Sequence, residues 1–252
     1  MAEPALPTLL RRLLAAAAGL LCLQFAPAAS AAPFEDSMAQ RVLACTGCHG
    51  AQGRSAPDGY YPRIAGKPAG YLLQQLQHFR DGRRRYQPMQ RLLGNLDDHY
   101  LAQIAEHFAA LDLPYPGLVV AHDTPPQQLA AGRQLVEDGD AARQIPACTA
   151  CHGEQLGGVA PAIPGLLGLP VDYLNGQLGA WRSGSRRAAE PDCMAAITRR
   201  LTAADIAAVS RWLAAQPVPA RYKPLASADG LPTGLPIDCG STAAQLPDGV
   251  RQ

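Results

Sequence analysis

The sequence predicts an all-α protein of two similar tandem units, each a few short helices joined by loops. Three observations carry this. Cys45-Thr-Gly-Cys48-His49-Gly50 returns as Cys148-Thr-Ala-Cys151-His152-Gly153, an offset of 103 residues. Downstream of each copy, Tyr71, Leu72, Gln75, Leu76 and Phe79 match Tyr173, Leu174, Gln177, Leu178 and Trp181, with the spacing of one helical face. No segment alternates apolar and polar residues as a half-buried strand would. The 252 residues suit one or two domains, and 48% apolar content suffices for packed cores. The 24 Gly and 23 Pro follow no short repeat and no heptad is sustained, which excludes collagen-like and coiled-coil structures. Only 14 residues are aromatic, so something other than aromatic side chains is expected to fill part of the interior. A net charge of +1 argues against nucleic acid as a partner, since phosphate-binding chains carry a basic excess.

Taken in order, residues 1–31 read as a cleavable secretory signal peptide. Arg11 and Arg12 precede an apolar run from Leu13 to Phe25, and Ala29-Ser30-Ala31 offers a cleavage site. The run is shorter than the roughly 20 residues that span a bilayer. The mature chain is then exported to the periplasm, where disulfides are permitted. The first unit, 32–113, has a helix-compatible stretch at 35–44, the helix bearing Tyr71 to Phe79, and a last helix starting near Asp97. Residues 114–127, with four prolines, form the expected linker. The second unit, 128–216, repeats the pattern with helical stretches at 129–138 and around Tyr173. Its last helix is capped by Thr202 with Asp205 three residues on, and it ends at Leu213. Residues 217–252 form a Pro/Gly-rich tail.

Cys-x-x-Cys followed at once by His is the attachment signature of c-type haem. Cys45 and Cys48, and again Cys148 and Cys151, can form thioethers to the two vinyl groups, while His49 and His152 present imidazole to the iron. A thioredoxin-like pair would want a βαβ context, which is absent, and a zinc site would leave the two histidines without a reason. The sixth ligand follows by elimination. Met1 is removed with the leader and Met38 lies too close to Cys45, which leaves Met89 and Met194, 40 and 42 residues after their histidines. Each follows a proline closely and precedes the last helix, so each is expected on a loop across the haem. His/Met ligation saturates the iron, which suits electron transfer better than substrate binding. Two covalently bound haem c groups are therefore the expected cofactors.

These residues, with Pro62-Arg-Ile-Ala-Gly66, Tyr71-Leu72, Gln75-Leu76 and Phe79-Arg80-Asp-Gly82 before Met89, resemble the dihaem class I cytochromes c of the c-four type up to about residue 216. The resemblance implies two tandem class I cytochrome c domains, each a few short helices wrapped around a covalently bound haem. It further implies a periplasmic electron carrier between a quinol-oxidising complex and a terminal oxidase; a monomer that is a carrier and not an enzyme is the reading adopted. A cytochrome subunit of a dehydrogenase or oxidase is the alternative, with peripheral membrane association left open. Cys193 and Cys239 remain after the haem cysteines and Cys22 are set aside. They are read either as a disulfide tying the tail to the Met194 loop, or with Cys193 as a thiolate haem ligand in a thiosulfate-oxidising enzyme. The arginines at 80 and 83–85, echoed at 182, 186 and 187, are read as haem-propionate partners, a docking patch or simply a solvated turn, with Arg85 and Arg187 expected nearest the haems.

Overall fold

The computed structural model describes residues 36–55, 60–115, 124–219, 222–226 and 236–243. The expected signal peptide and Cys22 lie outside the described residues. The first domain contains α1 (Met38–Arg41), α2 (Leu43–His49), α3 (Ala69–Arg80), α4 (Gln87–Leu93) and α5 (Asp98–Ala110). The second contains α6 (Pro126–Glu137), α7 (Thr149–His152), α8 (Val171–Arg182), α9 (Cys193–Thr198) and α10 (Ala203–Ala215). Between α7 and α8 a two-residue hairpin pairs β1 (Gly158–Val159) antiparallel to β2 (Ile163–Pro164), with Gly158 opposite Pro164.

Local chemistry sets these boundaries. Asp97 caps α5 by accepting from Tyr100 N at 2.8 Å. Thr202 and Asp205 close the expected capping box on α10. The helix expected over 35–44 is instead broken at Val42, whose φ of −88° and ψ of 6° separate α1 from α2 while its side chain is buried. The second domain's first helix begins at Pro126, inside the expected linker, because proline suits the first helical turn where its missing N–H costs nothing. The hairpin is a further difference from the expectation. Strands of two residues are too short to show an alternating pattern.

Each domain has its own apolar core. Leu72, Phe79, Leu101, Ile104 and Phe108 pack α3 against α5 in the first. Leu135, Val136, Leu174, Val209 and Leu213 pack α10 against α6 and α8 in the second. At the α6–α10 crossing Gly132 is obligatory, since a Cβ there would lie 2.2 Å from the Ala208 carbonyl oxygen. The tail is not loose where it is described. Tyr222 is buried, its hydroxyl accepts from Leu167 N at 2.8 Å and donates to Leu156 O, and Leu225 N donates to Gly158 O at 2.9 Å. Among the described residues no helix is long and apolar enough to cross a membrane.

Candidate functional site

Each Cys-x-x-Cys-His run forms a short helix ending at its histidine, so the two thiols and the imidazole leave one turn of chain together. The histidine is then followed by Gly50 or Gly153, whose positive φ of 74° or 81° turns the chain away. His49 Nδ1 donates to Pro62 O at 2.8 Å and His152 Nδ1 donates to Pro164 O at 2.7 Å. A carbonyl can only accept, so both rings carry the proton on Nδ1 and leave the Nε2 lone pair free to bind a metal. Burial pushes both histidine pKa values down, which keeps the imidazoles neutral.

One cavity of about 520 Å³ runs through both domains. Cys45, His49 and Met89 line it in the first, and Cys148, Cys151, His152 and Met194 line it in the second. Cys48 is exposed. Leu72, Phe79, Leu93 and Ile104 complete the apolar wall on one side, and Leu174, Leu178, Ile197 and Leu213 on the other.

Burial raises the Cys148 thiol to about 12 and raises Cys45 and Cys151 as well. A redox-active or nucleophilic pair would need the opposite shift. Among the described residues no group of three or more His, Cys, Asp or Glu side chains is placed to hold a metal ion.

The methionines differ from expectation in their setting. Met89 lies in the first turn of α4 and Met194 in the first turn of α9, on short helices rather than loops. Pro88 supplies the helical φ for the first. Asp192 caps the second, accepting from Ala195 N at 3.0 Å and Ala188 N at 2.7 Å. A tether also acts on α9: Cys193 is disulfide-bonded to Cys239, and Gly240 N donates to Pro191 O at 2.9 Å. The Cys193 sulfur is therefore held by the tail and is not a free thiolate.

Between the domains stands a four-residue ring. Arg84 donates to Gln75 Oε1 at 3.0 Å and Gln177 Oε1 at 2.7 Å; Arg186 donates to the same two oxygens at 2.7 and 2.9 Å. Arg84 also reaches the Tyr173 hydroxyl at 3.0 Å. Each guanidinium lies over an aromatic ring of its own domain, Arg84 over Phe79 and Arg186 over Trp181. Gly82 and Gly184, both at positive φ, reverse the chain after α3 and α8 so that Arg84 and Arg186 bridge antiparallel. The buried arginines are thus 84 and 186, whereas Arg85 and Arg187, expected nearest the haems, are exposed.

Burial, with Arg84 beside it, lowers the Arg186 pKa to about 10. Among the described residues neither guanidinium has a carboxylate partner in an ion pair. The buried indole Nε1 of Trp181, on the cavity wall, likewise has no acceptor. Two buried cations and an orphan donor facing an apolar cavity fit a flat apolar group that carries carboxylates, which is what haem is.

Comparison with known proteins agrees with this geometry. The Cytochrome c family model matches twice, over residues 38–105 and 129–216. A thiosulfate dehydrogenase electron acceptor of Thiomonas intermedia is 36% identical, covering 83% of this chain and 93% of that protein. Cytochrome c4 of Pseudomonas aeruginosa is 36% identical over 69% of this chain and 84% of its own length. The solved structure of reduced cytochrome c4 from Pseudomonas stutzeri superposes with a TM-score of 0.61 at 29% identity, covering 70% of this chain and 95% of that one.

Proposed function

Because this chain belongs to the cytochrome c family, as a dihaem electron carrier of the c4 type with two covalently bound haem c groups, we propose that it shuttles single electrons in the periplasm through two His/Met-ligated sites. Cys45 and Cys48 would hold one haem and Cys148 and Cys151 the other, with His49 and Met89, and His152 and Met194, as the side chains that would bind the two irons. The first haem domain spans 32–113, and the second runs from the start of α6 at Pro126 to 216. The observation that carries this reading is the pair of Nδ1-to-carbonyl hydrogen bonds, which leave both Nε2 lone pairs free in histidines that line one cavity with both methionines.

The bound haem supplies a one-electron couple. The protein supplies the rest. Met89 and Met194 would complete the ligand set of each iron and keep water off it, which favours carriage over catalysis. Arg84, Arg186 and the Trp181 Nε1 offer donors for the carboxylates at the domain boundary, and the two guanidiniums would make charge-assisted hydrogen bonds, stronger than neutral ones. The disulfide between Cys193 and Cys239 suits an oxidising compartment.

The electron donor is a sulfur-compound dehydrogenase. The support is the Thiomonas protein, a thiosulfate dehydrogenase electron acceptor, which is 36% identical over 83% of this chain. A quinol-oxidising complex as donor, with a terminal oxidase as acceptor, is the second reading, and it is favoured by the cytochrome c4 likeness.

Redox-titrated absorption spectroscopy of the purified protein tests the core of the proposal. Two haems per chain and a methionine–iron charge-transfer band are expected, with Met89→His and Met194→His each lowering one of two resolved potentials. Thiosulfate turnover by the protein alone would overturn the carrier reading. Fast reduction by a thiosulfate-oxidising dehydrogenase, and slow reduction by a quinol-oxidising complex, would select the donor.

A further inference from the structure

Lys67 belongs to the first domain but directs its amine at the second; burial, with Arg63 nearby, lowers its pKa to about 7, so the amine is charged at pH 6. The residue is buried, and its ammonium donates to Gly165 O at 2.9 Å across the domain boundary. Gly165 follows Pro164, the residue whose carbonyl holds the His152 ring. Lys67 lines the shared cavity together with His152, Pro164 and Gly165.

The arrangement is not repeated. The position 102 residues on from Lys67 is Leu169, which is buried and apolar. In the first domain the matching loop is held by its own cation, Arg63, which donates to the carbonyls of Ala65, Leu113 and Pro114. The Arg63 position in the second domain is Gly165 itself, where a Cβ would lie 2.6 Å from Gly157 O. No long side chain fits there, so the cation arrives from the other domain. Among the described residues Lys67 forms no ion pair, and leucine or methionine would fill the space without the cost of burying an ammonium.

We infer that Lys67 is a positioning residue for the second haem, fixing the His152–Pro164 loop across the domain boundary and raising that haem's reduction potential with its charge. Oxidised haem carries one more positive charge than reduced haem, so a cation held beside it in a medium of low dielectric disfavours the oxidised state. The effect is aimed at the second haem, because Lys67 bonds Gly165 O, next to the carbonyl that holds His152. Electrons entering at the first haem are thereby drawn to the second.

This inference rests on His152 as iron ligand, and the test separates the two. In the holoprotein at pH 6, the potentials of both haems are measured by spectroelectrochemistry for wild type, Lys67→Met, Lys67→Gln and Lys67→Arg, with Met194→His identifying the second haem. Loss of charge in the Met and Gln variants is expected to lower the second haem alone. The electron partition between the haems should change about tenfold, which is about 59 mV for a one-electron couple. Lys67→Arg should stay near wild type.

Unchanged potentials in Lys67→Met, an equal shift at both haems, or Lys67→Gln matching wild type through its hydrogen bond alone would each overturn the inference. If Lys67→Met fails to load haem, the Gln and Arg pair decides. If the wild-type spectrum lacks His/Met signatures, the ligand reading itself fails, whatever the variants do.

Discussion

His78 is a buried imidazole on α3 that holds no proposed ligand role, and its surroundings make it a sensor of acid. Burial, then the charges of Arg83, Arg186 and Arg84 against the opposing Asp192, depress its pKa from 6.5 to about 4. The unfolded chain takes up a proton near 6.5, the folded chain only near 4. The stability that follows is complete above about pH 6.5, is lost progressively as pH falls toward 4, and levels off below. A His78→Asn variant lacks that loss, so its urea midpoint relative to wild type should rise as pH falls from neutral to about 4. A pH-independent difference would show that His78 does not titrate in this way. At this scale the sequence was most informative where covalent chemistry fixes residue type. Cys45, Cys48, His49, Cys148, Cys151 and His152 are legible because attachment needs those groups in that order. Arg84 and Arg186 were not separable from Arg85 and Arg187, because four arginines in a turn differ only in which way the folded chain aims them.

Helices were legible where a cap or a wide apolar face marks them. Asp97, Thr202 and Asp205 announce α5 and α10, and the Tyr71 and Tyr173 faces announce α3 and α8. The helices α4 and α9 were missed, because six or seven residues beside a proline carry too little periodicity to be distinguished from a loop. Asp192 ahead of Cys193 was the available signal for α9. The α6–α10 crossing provides a test at this scale. Gly132→Ala would place a methyl group 2.2 Å from the Ala208 carbonyl oxygen, so one helix must shift. An overpacking cost of about 1–3 kcal/mol is expected in denaturant unfolding. A change under a few tenths would mean that the helices separate more easily than the contact implies.

Across the whole molecule, the described parts of the tail, 222–226 and 236–243, behave as part of the fold rather than an appendage. They bind the β1 hairpin through Leu225, the second core through Tyr222, α9 through Cys239, and the first domain through Ser241 O, which accepts from Gln74 Nε2 at 2.8 Å. The disulfide spans 46 residues of sequence. Cys239→Ser should therefore cost about 2–4 kcal/mol and free residues 236–243 to limited proteolysis. Equal stability and equal protease resistance would show that the noncovalent contacts suffice. The abundant Gly and Pro now have a use: loops wrap a prosthetic group that replaces the missing aromatic bulk in two domains small for a self-sufficient core.

The sequence by itself determined the duplication, the all-α class, the haem attachment motifs and the candidate methionines, since covalent bonds, helical periodicity and internal repetition are written in one dimension. Only the tertiary structure decided which arginines are buried, that Cys193 meets Cys239, and that Lys67 reaches the second domain. Those outcomes depend on how two nearly equivalent domains approach each other. The approach is set by side chains distant in sequence, where the two copies have diverged and no spacing rule applies.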